Sequence, residues 1–117
     1  MKTIAVRDTG KHADCVESCP IEKHEDVMVV GTYHLQKHSD GQEDTRNGDL
    51  QVYSIQQDAD MHIQVHDPVT FEMSSGIFDI KWCHRQVQEK ILIAAATAIG
   101  TLDIMELHQV RPPIIHY

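Results

Sequence analysis

The chain has 117 residues, 41% of them apolar, and a formal charge of −8, which suits one compact domain and disfavours a nucleic-acid partner, since acidic surfaces repel phosphate backbones. A basic protein partner is compatible with that charge. No stretch approaches the roughly 18 consecutive apolar residues of a membrane span, the first eight residues lack the apolar centre of a signal peptide, and three cysteines make no disulfide framework. The expected setting is therefore cytoplasmic and reducing, with no membrane association.

Thr3-Ile4-Ala5-Val6-Arg7 is a short strand candidate, and Asp8-Thr9-Gly10-Lys11 reads as a turn. Residues 14–19 form a second strand candidate, stopped by Pro20, which has no N–H for a ladder. Residues 21–26 connect it to Val27-Met28-Val29-Val30-Gly31-Thr32-Tyr33, a run of strand length with the apolar continuity of a strand buried on both faces. Residues 34–47 are polar without period and read as a loop. Alternation resumes at 48–55, with Leu50 and Val52 on one face and Gln51 and Tyr53 on the other. Residues 61–65 alternate until Asp67-Pro68. Residues 76–82 place Phe78, Ile80 and Trp82 on one face, 91–96 are a second continuous apolar run, and 100–107 close the series before Pro112-Pro113. The alanines between Lys90 and Ile99 also suit a helix.

Internal repetition decides between strand and helix. Val16-Glu17-Ser18-Cys19 matches Ile80-Lys81-Trp82-Cys83, and Val27-Met28-Val29-Val30 matches Ile91-Leu92-Ile93-Ala94, both at an offset of 64. Gly48-Asp49-Leu50-Gln51-Val52 matches Gly100-Thr101-Leu102-Asp103-Ile104 at an offset of 52. Without the polar insertion the period is about 50 residues, near the blade length of propeller repeats. A repeat uses one conformation twice, and the β-branched first copy is strand. The expected fold class is all-β: a partial WD40-type β-propeller of about two four-stranded antiparallel blades. The domain is 1–117, with blade one at about 13–66 around the loop 34–47, and blade two at about 76–117, lacking a good fourth strand.

The residues that could carry chemistry are few. No Gly-x-Ser-x-Gly nucleophile elbow occurs. Cys19 and Cys83 hold equivalent repeat positions, which points to packing. His12, Cys15, Cys19 and His24 could be drawn as a zinc set, but their spacing is not that of a standard finger, and no metal or other cofactor is expected. Asp79 and Lys81 alternate with the apolar face of their strand. Trp82 is expected between blades, Gly31 at a close strand approach, and Tyr33 at a blade edge.

Several elements together resemble the opening of the diphthine methylesterase family. They are Asp8-Thr9-Gly10, then Ala13 to Pro20, then Val30-Gly31-Thr32-Tyr33, then Gly48 to Tyr53, and later Ile77-Phe78-Asp79-Ile80-Lys81-Trp82. The resemblance runs from about Asp8 to Leu107. It implies a WD-repeat protein of diphthamide biosynthesis, a carboxylic ester hydrolase that removes the methyl ester of a methylated diphthine intermediate on elongation factor 2. Its motif positions here are Asp14, Glu17, Cys19, Pro20, Gly31, Thr32, Tyr33, Asp79, Lys81 and Trp82, mostly structural, and it hands over no catalytic residue. The chain departs from the family in three ways. Ser18 stands where the family tends to have Trp, blade two has no Trp-Asp dipeptide, and two blades are fewer than a full propeller. A non-catalytic WD-repeat scaffold for protein partners is the alternative.

Overall fold

A computed structural model describes residues 1–108, and the expectation for a poor strand at 110–117 lies outside them. Among the described residues nine strands form in order: β1 (His12–Ser18), β2 (Val27–Gln36), β3 (Thr45–Asn47), β4 (Asp49–Gln57), β5 (Ile63–Val65), β6 (Val69–Glu72), β7 (Ile77–Trp82), β8 (Leu92–Thr97) and β9 (Leu102–Glu106). All pairings between them are antiparallel. The fold is all-β, as expected, with two propeller-like sheets that do not close on one another. The alanine-rich run is strand β8, because its alanines let it lie between two neighbours in a packed sheet.

The first sheet runs β1-β2-β4 and ends in an outer row shared by β5 and β6. Sequence reading ends that row at Asp67-Pro68, yet it resumes beyond. Val65 faces Ile55, but Val69 faces Val52, so the row shifts by one residue around Pro68. A bulge is where a proline fits in a sheet, since no ladder donor is needed there. The insertion read as a loop over 34–47 is also partly ordered: β2 continues to Gln36, and β3 pairs back onto it. Thr3 to Arg7, read as a strand, belongs to no sheet. It crosses the face of the first sheet, where the Arg7 guanidinium donates to the Val65 carbonyl.

The second sheet is β7-β8-β9, and its registers correct the repeat by one residue. In both sheets the first strand carries a bulge at the same place, between Ala13 and Cys15 and between Ile77 and Asp79. The amides of Cys19 and Cys83 then donate to the carbonyls of Val27 and Leu92. Val27 is therefore the counterpart of Leu92, not Ile91, and Met28 of Ile93. The third strands keep their expected match, because Met28 faces Tyr53 and Ile93 faces Met105. The connection before β8 is one residue longer than that before β2. Continuous apolar runs have no alternation to reveal such a slip, although a slip exchanges the two faces of the strand.

With the register set, the packing follows. The face of the first sheet bearing Val27, Val29, Leu50 and Val52 meets the face of the second bearing Ile80, Trp82, Ile93 and Ala95, with Ile77 and Ile91 beside them. Val27, Val29, Ile77, Ile80 and Ala95 have no exposed surface. Burying each large aliphatic side chain contributes about 1.5–3 kcal/mol. Gly31 lies at the closest approach. A Cβ there would fall 2.5 Å from Ile77 Cγ2, 2.8 Å from Cys15 Sγ and 2.9 Å from Ile80 Cδ1. Gly31→Ala is expected to destabilise the fold by about 1–3 kcal/mol, because these neighbours are fixed by the sheets themselves. Urea unfolding followed by circular dichroism checks it, and an unchanged midpoint would show that the sheets can part at no cost.

Candidate functional site

The motif residues named from the sequence fall mostly on the seam between the sheets. Glu17 reaches over from β1: its carboxylate accepts from Lys81 Nζ at 2.7 Å, and its main-chain carbonyl accepts from Trp82 Nε1 at 3.0 Å. The Glu17 carboxylate holds the Lys81 pKa above its ordinary value. Trp82 is thus buried between the sheets with its one polar group satisfied. Tyr33 stacks on Phe78 across the seam with ring centroids 5.5 Å apart, and its hydroxyl accepts from Arg46 Nε. Asp14 is exposed in the β1 bulge, Pro20 is exposed after β1, and Asp79 is exposed with its carboxylate on the Ile80 amide.

The cysteines sit where they pack. Cys19 is 2% exposed and belongs to the core cluster, with Cys15 packed against it. Burial raises the pKa of both thiols, and neighbouring carboxylates add to it. A protonated thiol is a poor nucleophile. His12, Cys15, Cys19 and His24 do not gather into a set of metal ligands. Among the described residues the one group of three that could is Asp58, Asp60 and His62, in the β4–β5 turn. No serine or cysteine side chain there is hydrogen-bonded to a histidine. Thr45 and His38 form an exposed pair 3.3 Å apart on the insertion.

The densest polar chemistry lies on the opposite face of the first sheet, in residues that sequence reading did not single out apart from Thr32. Asp49, Gln51 and Tyr53 alternate along β4 and all three are buried. The Thr32 hydroxyl donates to Asp49 Oδ1 at 2.5 Å and accepts from the Asp49 amide at 2.9 Å. Lys11 Nζ lies 3.0 Å from Asp49 Oδ2. Gln51 Nε2 donates to Asp49 Oδ1 and to the Thr9 carbonyl, and its Oε1 accepts from Tyr53 at 2.7 Å. The sequence signal was present in the polar row alternating with Leu50 and Val52. It reads as a solvated face because nothing in the pattern shows that residues 5–11 fold over it.

Burial by itself would raise the Asp49 pKa. The hydrogen bonds from Thr32, Lys11 and Gln51 outweigh it, so the pKa lies below the ordinary 3.8. Burial raises the pKa of Tyr53. Beside this row, Ala5, Arg7, Thr9, Met28, Val30, Tyr53 and Val65 line an open hollow of about 200 Å³. Its walls hold no serine, cysteine or histidine. The arrangement can bind an apolar group, and the hydroxyls on its walls, those of Thr9 and Tyr53, donate to the Lys11 carbonyl and to Gln51 Oε1.

The repeated bulge, the matched registers and the Thr32–Asp49 clasp define this chain as a pair of propeller-type β-blades. The chain is 31% identical, over 92% of its length, to diphthine methyltransferase of Mus musculus, and it covers 23% of that protein. It is 32% identical, over 86% of its length, to diphthine methyltransferase of Homo sapiens, and covers 25% of it. The family resemblance read from the motifs is borne out: over the matched stretch this chain is a relative of the diphthine methyltransferases. It spans about a quarter of the length of these curated relatives. No family model matches the chain. No solved structure matches it.

Asp49 makes stability depend on pH. Its folded pKa lies below the unfolded value, so its contribution is complete above about pH 4 and is lost as pH falls through the folded pKa. Asp49→Asn is expected to flatten that acid limb and to lower stability at neutral pH by about 1–3 kcal/mol, since Lys11 and Thr32 lose a charged acceptor. Urea midpoints of both proteins between about pH 2 and 6 measure it. Parallel curves for the two would show that the carboxylate is not held in its ionised form.

Proposed function

We propose that this chain is the two-blade portion of a diphthine methyl ester hydrolase, removing the methyl ester from methylated diphthine on elongation factor 2 during diphthamide biosynthesis in the cytoplasm. The observation that carries this reading is the match of about nine tenths of the chain to two relatives named diphthine methyltransferase. That name supports a role on diphthine, and the choice of hydrolysis follows the motif resemblance. The three free cysteines support a reducing compartment.

An ester hydrolase needs an activated nucleophile or water. Cys15 and Cys19, with raised thiol pKa values, fit a packing role, so the blades here act by positioning the modified side chain for groups supplied elsewhere in a longer protein. Cys19→Ala is accordingly expected to leave turnover within about twofold of the parent.

The test places this chain in the mouse relative, in exchange for the segment it matches, and measures methanol release from elongation factor 2 carrying methylated diphthine. Release comparable to that of the mouse protein is expected. A folded chimera that releases no methanol while the mouse protein does would refute the reading for this chain. Methyl gain from a donor, with no methanol, would instead assign methyl transfer.

A further inference from the structure

The two sheets differ most at one rim. Gly31 faces Leu50 and His34 faces Asn47 in a single register, so β2 and β3–β4 form one hairpin arm that runs on past the clasp of Thr32 and Asp49. Tyr33, Leu35 and Arg46 share a face of this arm, since Leu35 and Arg46 are direct cross-strand partners. The connection between β6 and β7 docks against the arm. The Gly76 amide donates to the Arg46 carbonyl at 3.1 Å, and a Cβ on Gly76 would fall 2.5 Å from Tyr33 Cδ2. The Tyr33 ring is thus held against backbone, with Phe78 stacked on it at an interplanar angle of 24°. Phe78 is still 53% exposed, and Arg46 is exposed beside it. Arg46 donates through Nε to the Tyr33 hydroxyl. Among the described residues it makes no ion pair, whereas Lys11, Lys81 and Lys90 each have a carboxylate partner. In the second sheet Thr97 is the counterpart of Thr32, so Ala98 stands where Tyr33 does, and the chain turns there through Gly100. The blade fold therefore requires neither the arm nor this patch.

We infer that Phe78 and Arg46, both seated on Tyr33, receive the modified side chain of the substrate: its ring stacks on the exposed side of Phe78, and the Arg46 guanidinium donates to the carbonyl of its ester. The inference rests on the function proposed above, under which that side chain is a histidine-derived imidazole bearing a methyl ester. The patch and this group match part by part. An exposed phenyl ring attracts a flat ring, and a cationic one more strongly. A guanidinium whose terminal N–H groups are free presents a planar fork to a carbonyl or carboxylate oxygen. A partner recognised by charge alone would need Arg46 only and would leave the aromatic stack without a use. A phosphate backbone is disfavoured by the charge of −8. Phe78 and Arg46 hold the ring and the ester, Tyr33 positions both, and the attacking group comes from elsewhere in the longer protein.

In the mouse chimera, Phe78→Ala and Arg46→Gln should each raise KM for elongation factor 2 carrying methylated diphthine by at least about tenfold, with kcat within about threefold of the parent. The melting temperature should hold, since both side chains are exposed. Phe78→Leu, which keeps an apolar contact with Tyr33, replaces the alanine variant if that one melts lower. Biolayer interferometry adds a readout free of turnover. The parent should hold the modified factor at least about tenfold tighter than the factor with an unmodified histidine, and each variant should lose that preference. Tyr33→Phe keeps the stack but releases Arg46, and should raise KM by about threefold. Phe71→Ala, on β6 and of similar exposure, should change neither readout. Parent-like KM and preference in the Phe78 and Arg46 variants, beside a parent that releases methanol, would overturn the site and leave the proposed hydrolysis standing. So would an equal loss in Phe71→Ala. A folded chimera that does not distinguish the two forms of the factor would overturn both. If the parent transfers methyl instead of releasing methanol, the binding preference and its loss in the variants decide the site by the same criteria.

Discussion

The close approach of two apolar sheets at Gly31 is the constraint from which the rest of this structure follows. Ile77 and Ile80 from the second sheet occupy the space where a side chain would stand. Their position brings Trp82 over β1, where its indole nitrogen finds the Glu17 carbonyl. The same approach brings Tyr33 onto Phe78. A bulge in each first strand makes the contact possible by turning the side chains after it toward the partner sheet. Loss of any one of these contacts would be felt by the others, since they share one rigid seam.

The second device is a clasp repeated in both sheets. In the first, the Thr32 hydroxyl ties the start of β4 through the Asp49 amide and carboxylate. In the second, Thr97 takes the same role toward Thr101, with hydroxyls 2.7 Å apart and the Thr101 amide donating to Thr97. The connections they close are very different: a long excursion through β3 in one case, and a tight turn through Gly100 with φ of 87° in the other. A side-chain clasp fixes the strand ends whatever loop lies between them, which explains how one blade tolerates an insertion that the other lacks. Where the clasp carries a carboxylate, a counter-charge is needed. Lys11 supplies it from the N-terminal segment, and this accounts for the path of that segment across the sheet.

How far the sequence discloses this architecture depends on which pattern each residue belongs to. Period-two alternation and β-branched runs reveal β2, β4 and β7, and repetition rescues β8 from its helical composition. Trp82 and Gly31 are legible as packing residues because a lone Trp and a Gly within an apolar strand have few other uses. The true repeat register is hidden, since Val27-Met28-Val29-Val30 and Leu92-Ile93-Ala94-Ala95 are apolar at every position and slide past one another without penalty. The continuation of the outer row past Asp67-Pro68 is hidden too, because proline reads as an end and a bulge leaves no local signature. The buried polar row of Asp49, Gln51 and Tyr53 is visible as alternation, but its burial comes from Lys11 and Thr9, about forty residues away in sequence.

This division bears on where a pair of propeller-type sheets can carry chemistry. Within these two sheets every strongly held group is engaged in holding the sheets: Asp49 by Thr32 and Lys11, Trp82 by Glu17, and the Cys15 and Cys19 thiols by burial. Groups committed to hydrogen bonds inside a sheet face cannot move protons for a substrate without loosening the blade. Chemistry on such a scaffold therefore falls to loops and to edges between blades, where side chains are positioned by the sheets but not consumed by them. At the seam, Tyr33, Phe78 and Arg46 meet beside the insertion through β3. The exposed outer face of the second sheet has the opposite character. Leu92, Ala94, Leu102 and Ile104 make it largely apolar, with Lys81 and Asp79 of β7 opposite Ala94 and Ala96.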